Sequence, residues 1–168
     1  MQKVFITGVA GFLGAHLAKK MFDEGWIVAG NDNFIGADKS NVHDFVDFFD
    51  IDCCDLNEMQ KAMADSDLVF HCAATAHEGL SVFSPSFITK NNYEASVSTF
   101  TAAINCGVKR VVFCSSMARY GNQPTPFTED MRPEPVDPYG IAKFAAEETL
   151  KVLCKVHGIQ WNIQTSKS

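Results

Sequence analysis

The stretch Thr7-Gly-Val-Ala-Gly-Phe-Leu-Gly14 constrains this chain more than any other. It joins a strand-like run over 3–7 to a segment with Leu13, Leu17 and Met21 at helical spacing. The three glycines have separate uses. Gly8 permits a tight turn, Gly11 lets backbone approach a pyrophosphate, and Gly14 allows close packing of helix on strand. The start of the helix leaves N–H groups without intrahelical partners, and phosphate suits them. A strand, glycine loop and helix in this order form the opening unit of a dinucleotide-binding parallel sheet.

The rest of the chain agrees. Short apolar runs alternate with helical patterns, as in a parallel sheet covered on both faces. The patterning predicts helices over 12–24, 56–64, 85–105 and 139–157. It predicts strands over 3–7, 26–30, 45–49, 68–72 and 108–115, with a sixth beginning over 159–163. Between the fifth strand and the last helix, the stretch 121–138 holds five of the six prolines and reads as loop. Right-handed crossovers then give an α/β, doubly wound Rossmann sheet over residues 1–163. Residues 164–168 read as a polar tail and an apparent truncation.

Composition narrows the partners. An apolar fraction of 46% supplies a substantial core for 168 residues. The net charge of −6 argues against nucleic acid or an anionic membrane as partner. No apolar run is long enough to span a bilayer, and the N-terminus lacks a signal-peptide pattern, so a cytoplasmic location is expected. Six cysteines form no C-x-x-C pair, and no metal site is expected. Cys72 and Cys114 end apolar runs and read as small core residues, and the thiols are expected to stay reduced.

Two further features carry chemistry. Asp32 lies 18 residues after Gly14, where a carboxylate accepts hydrogen bonds from an adenosine ribose. It would repel a 2′-phosphate, and no Arg or Lys follows before Lys39, so NAD is favoured over NADP. Tyr139 and Lys143 sit four apart on one helical face, 23 positions after Ser116. A nearby ammonium is expected to lower the phenol pKa, with Ser116 relaying or positioning a proton.

These residues resemble the extended short-chain dehydrogenase/reductases, in particular the NAD-dependent sugar-nucleotide epimerase/dehydratase family, of the UDP-glucose 4-epimerase type. Thr7 to Gly14 is similar to that family's glycine loop. Asp52-Cys53 resembles the acidic-apolar pair that brackets adenine, and His71-Cys-Ala-Ala74 the motif lining the cofactor. Asn92 resembles the helix Asn that supports the active site, and Phe113 to Gly121 the segment whose catalytic hydroxyl is Ser116. The resemblance implies Ser116, Tyr139 and Lys143 as catalytic residues. It implies cofactor contacts from Gly8, Gly11, Phe12, Leu13, Gly14, Asp32, Asn33, Asp52, Cys53, Ala73, Ala74, Asn92, Tyr139 and Lys143.

The implied reaction is transient oxidation at C4 of a nucleotide-sugar, with a UDP-sugar as the expected substrate and hydride passing to NAD and back on the other face. Met117 and Ala118 stand where the family's dehydratases carry acids, which turns the reading from dehydration toward epimerisation. A reductase or dehydratase of the same family is a further alternative. The family's C-terminal substrate domain is absent, so the chain reads as the N-terminal half. A catalytically inactive NAD-binding or regulatory domain is therefore the competing expectation. The helices over 85–105 and 139–157 resemble those that pair in a homodimer. Arg119 is expected to pair with Glu129 or Asp130, or to meet a substrate anion, while His77 and Glu78 read either as pocket or as plain loop residues.

Overall fold

The computed structural model describes residues 1–165. Six strands form one parallel sheet: β1 (Lys3–Thr7), β2 (Ile27–Asp32), β3 (Asp47–Asp50), β4 (Leu68–His71), β5 (Arg110–Ser115) and β6 (Gln160–Thr165). Their order is β3-β2-β1-β4-β5-β6, the doubly wound arrangement. The helices are α1 (Phe12–Asp23), α2 (Leu56–Met63), α3 (Pro85–Thr89), α4 (Ala95–Asn105) and α5 (Pro138–His157). The order reverses between β1 and β4. Strand C-termini part there, and loops from both sides enclose a crevice.

Alternation along β1 builds both faces. Phe5 joins a core with Met59, Met63, Phe100, Phe113 and Leu150, under α2, α4 and α5. Val4 and Ile6 turn to the other face and meet Val9, Ala18, Val28 and Val46 beside α1. Both sets are buried, which is why β1 reads as a continuous apolar run.

Several boundaries move from their expected places. β2 continues to Asp32 because β1 and β3 pair with it on both sides, Thr7 opposite Asn31 and Asp50 opposite Asp32. β3 begins at Asp47, with Val46 buried beneath the sheet rather than in the ladder. β6 pairs with β5 as far as Thr165 opposite Ser115, so Gln164 and Thr165 belong to the sheet and not to a tail. Residues 166–168 of the expected tail lie outside the described residues.

The expected helix over 85–105 is interrupted by a π turn, Lys90–Glu94. The Asn92 side chain lies at its centre. Its Nδ2 donates to the Ile88 carbonyl at 2.9 Å and to Thr75 O at 3.3 Å. Ser96 Oγ donates to the Asn92 carbonyl. Side chains thus take backbone groups that a regular helix would pair, and the π turn brings Asn92 against the loop after β4. α3, the π turn and α4 all pack against α5 within the chain. Phe83, Phe87 and Ile141 stay exposed near that contact.

The core makes one stability prediction. Phe100 is buried edge-on to both His71 and Phe113. Phe100→Ala should lower unfolding free energy by about 3–5 kcal/mol in urea titrations followed by circular dichroism.

Candidate active site

The cleft begins at the glycine loop. Gly8 has φ 68°, and a Cβ there would lie 2.9 Å from Ala73 Cα. A Cβ on Gly14 would fall 2.1 Å from the Gly8 carbonyl oxygen, so α1 can seat against the loop only without a side chain at this position. The Gly11 N–H closes onto Gly8 O, and the Ala15 N–H onto Gly11 O. The N–H groups at the start of α1 are left pointing outward for an anion. A dinucleotide's pyrophosphate fits such a cradle.

A cavity of about 240 Å³ runs from this loop past Asp32, Asn33, Asp52, Cys53, Ala73 and Ala74. The Asp32 carboxylate accepts from the Ala10 N–H at 3.1 Å and from the Phe34 N–H at 2.9 Å. Each carboxylate oxygen keeps a further lone pair for a ligand hydroxyl. Asp32 therefore joins the glycine loop to the end of β2 while facing the cleft. Asp52 holds the next turn by accepting from the Cys54 N–H at 2.8 Å. Six expected contact residues do not line the cavity: Phe12, Leu13, Gly14, Asn92, Tyr139 and Lys143. Phe12 and Leu13 project from the first turn of α1 with side chains 83% and 47% exposed, so only their backbone N–H groups can serve a phosphate. Asn92 does not line the cavity, because its side chain is committed to Thr75 and Ile88. Its neighbour Asn91 does.

Some lining residues carried no local signal in the sequence. Ile35, Gly36, Ala37 and Thr75 reach the cleft through the path of their loops. Asn31 donates from Nδ2 to Ile51 O at 2.9 Å and to Cys53 Sγ at 3.3 Å, tying β2 to the loop after β3. Its signal was available: a polar residue in the apolar run Ile27-Val-Ala-Gly-Asn31.

Beneath the cleft lies a buried chain of hydrogen bonds. Thr7 Oγ1 is 2.7 Å from His71 Nδ1, and His71 Nε2 is 2.8 Å from Ser96 Oγ. Ser96 gives its proton to the Asn92 carbonyl, so it accepts from His71 Nε2–H. His71 Nδ1 is then the acceptor for the Thr7 hydroxyl. The Thr7 oxygen accepts in turn from the Cys72 and Ala73 N–H groups, at 3.2 and 3.1 Å. Burial pushes the His71 pKa down to about 3, with the Lys143 charge acting in the same direction.

Tyr139, Lys143 and Glu147 follow one another along a single face of α5, all buried. Ser116 caps the turn after β5, accepting from the Ala118 N–H at 3.2 Å. Gly140 lets that turn approach, since a Cβ there would lie 2.7 Å from Ala118 O. Asp137 caps α5 by accepting from the Gly140 N–H at 2.8 Å. Ser116 and Tyr139 are thereby brought together.

The expected acidification of the phenol by Lys143 is not found. Burial raises the Tyr139 pKa, and the nearby Ser116 hydroxyl opposes the rise. Lys143 Nζ instead donates to the Cys114 carbonyl at 2.5 Å and rests 4.3 Å from the Phe113 ring centre. Burial lowers the Lys143 pKa to about 8, against the pull of Cys114, Cys72 and Glu147.

Arg119 also departs from expectation. It pairs with neither Glu129 nor Asp130. Its Nη1 lies 2.8 Å from Oε2 of the fully buried Glu147, and its guanidinium lies against Tyr120 and Phe144. Glu147 Oε1 accepts from Ser115 Oγ. The end of β5 and the Ser116 turn are thus both tied to α5. His77 lines the cavity and Glu78 does not. No metal-ligand cluster occurs among the described residues, and no helix there is long and apolar enough to cross a membrane.

A parallel sheet with a glycine-loop cleft and a Ser–Tyr–Lys cluster defines the short-chain dehydrogenase/reductase class. The sequence profile of the NAD dependent epimerase/dehydratase family matches residues 4–163, and the chain belongs to that family. It is 32% identical to the UDP-glucose 4-epimerase of Lactobacillus helveticus, over 95% of this chain and 49% of that one. The structure of UDP-glucose 4-epimerase from Brucella ovis in complex with NAD superposes with a TM-score of 0.93 at 30% identity, covering 98% of this chain and 51% of that one. A UDP-N-acetylglucosamine 4-epimerase from Methanobrevibacter ruminantium M1, in complex with UDP-N-acetylmuramic acid, gives 0.90 at 32% identity, over 96% and 53%. The chain spans about half the length of the relatives it matches.

Two predictions follow the buried groups. Because His71 stays neutral in the fold and protonates near 6.5 once unfolded, the unfolded state binds the extra proton first. Its contribution to stability is lost as pH falls from about 6.5 toward about 3. His71→Gln should flatten the acid side of a stability–pH curve by up to about 1.4 kcal/mol per pH unit, measured by urea midpoints. Arg119→Ala would strand the Glu147 carboxylate and cost about 3–5 kcal/mol, with part regained in the Arg119→Ala/Glu147→Leu double variant, as thermal melts would record.

Proposed function

We propose that this chain is the cofactor-binding and proton-transfer half of an NAD-dependent nucleotide-sugar 4-epimerase. The observation that carries the reading is the meeting of Ser116 and Tyr139, with Lys143 one turn further along α5, at the same strand ends that hold the glycine-loop cleft. Gly8, Gly11 and the first N–H groups of α1 would hold the pyrophosphate. Asp32 and Asn33 would take the adenosine ribose, Asp52 and Cys53 would border the adenine, and Ala73 and Ala74 would line the path onward. Tyr139 and Lys143 would meet the nicotinamide ribose. NAD, when bound, supplies a reversible hydride acceptor.

The residues of this chain would handle the proton. Tyr139 takes it from a sugar hydroxyl and returns it, and Ser116 hydrogen bonds to the reacting oxygen and the phenol. Lys143 favours phenolate only by turning its charge from the Cys114 carbonyl toward Tyr139. Met117 and Ala118 can neither donate nor accept a proton, which supports epimerisation over dehydration. UDP-sugars are the substrate class that the relatives favour. The Phe83, Phe87 and Ile141 surface supports a homodimer through the helices around α5. The acidic charge supports neither nucleic-acid nor membrane partners.

A second reading rests on length. With about half of the relatives' span present, the chain would bind NAD as a separate domain without turnover. Calorimetric titration with NAD, followed by incubation with UDP-glucose and chromatography for UDP-galactose, separates the two. NAD binding is expected, weakened about ten- to a hundredfold in Asp32→Ala by loss of charged hydrogen bonds. Interconversion that disappears in Tyr139→Phe supports the epimerase, and binding without interconversion supports the second reading. Absence of NAD binding would overturn both.

A further inference from the structure

Next to Lys143, two thiols that the proposed proton transfer does not use face each other. The register that sets His71 opposite Phe113 brings Cys72 and Cys114 side by side, just past the paired end of β4. Their sulfur atoms are 3.5 Å apart. Both residues are only partly buried, and Cys72 lines the cleft that opens to solvent at the glycine loop. Cys72 packs against the core beside α1, as its apolar flank suggests, but neither residue is fully enclosed. No other pair of cysteine sulfurs in contact is seen among the described residues. Cys53 points to Asn31, Cys54 to the Lys90 carbonyl and Cys106 to the Gln60 carbonyl.

We propose that Cys72 and Cys114 form an oxidisable dithiol that a peroxide closes into an intramolecular disulfide across the C-terminal ends of β4 and β5. The sulfurs must approach by about 1.5 Å to reach bonding distance of about 2.05 Å, a displacement that rotation about the two Cα–Cβ bonds can supply. The electrostatics name the order of events. Either sulfur can donate its S–H to the other, and the Lys143 ammonium, held on the Cys114 carbonyl, favours the thiolate, so Cys114 is taken as the first to react.

The steps balance. The Cys114 sulfur attacks one peroxide oxygen and the O–O bond breaks. Cys114 becomes a sulfenic acid, and the departing hydroxide takes a proton to leave as water. The Cys72 sulfur then attacks the Cys114 sulfur, forming S–S as S–O breaks. That hydroxide leaves with the Cys72 proton as a second water. Two thiols lose two electrons, and one peroxide becomes two waters. Because the Cys114 carbonyl holds Lys143 Nζ, closing the bridge disturbs the same lysine that would meet the nicotinamide ribose.

The test is peptide mapping by mass spectrometry of the full chain after hydrogen peroxide treatment, with alkylation of the remaining thiols. The expected product is a single 72–114 cross-link, lost on dithiothreitol treatment and absent in both Cys72→Ser and Cys114→Ser. In Cys72→Ser the Cys114 sulfenic acid should instead persist and be trapped by dimedone. Cross-links that scramble among the six cysteines, or Cys72 and Cys114 both alkylated after peroxide has oxidised other thiols, would overturn the proposal. Neither readout requires NAD or a sugar substrate, so the disulfide stands or fails separately from the epimerase reading.

Discussion

The hydrogen-bonded chain Thr7–His71–Ser96 holds together parts of the molecule that come from three separate stretches of sequence. It crosses from the end of β1 to the end of β4 and on to the start of α4, all in a buried setting. Every polar atom in it has a defined partner once His71 carries its proton on Nε2. An unpaired member at this depth would cost the full desolvation of its group, so the network tolerates one arrangement only. Through Thr7 it orients the backbone of Cys72 and Ala73, which forms the far wall opposite Gly8. The glycine loop and the loop after β4 consequently face each other at a set distance.

A second set of polar contacts does similar work around Ser116 and Tyr139. Glu147 is buried and receives Ser115 on one oxygen and Arg119 beside the other. These two residues flank Ser116, and Glu147 lies one turn beyond Lys143 on the same face of α5. The hydroxyl, phenol and ammonium are therefore carried on elements that are tied to one another at a buried carboxylate. Burial raises the Glu147 pKa, with Ser115 and Arg119 opposing that rise. Such a pair contributes chiefly by making its own disruption costly.

The alternation of strands and helices, the glycine loop and the Tyr139–Lys143 spacing were legible in the sequence because each is a local pattern. A period of two or of 3.6, a glycine where a Cβ would collide, and residues one helical turn apart need no knowledge of the rest of the chain. The π turn at Lys90–Glu94 was not legible, since it depends on Asn92 finding Thr75 across the fold. The Arg119 partner was misjudged for the same reason: Glu129 and Asp130 are near in sequence, whereas Glu147 is near in space. Cys72 and Cys114 likewise look like core residues until the register of β4 and β5 sets their sulfurs in contact.

The sequence by itself determined the doubly wound class, the dinucleotide-type loop and the placing of Tyr139 and Lys143 on one helical face, because those follow from periodicity, steric need and spacing. Ser116 was singled out by the family resemblance. Only the tertiary structure decided the charge state of that cluster. Burial raises the Tyr139 pKa and lowers that of Lys143, and the Cys114 carbonyl draws the ammonium away from the phenol. Desolvation and hydrogen-bond competition arise from the atoms packed around a group, and those atoms come from β5 and α5 together.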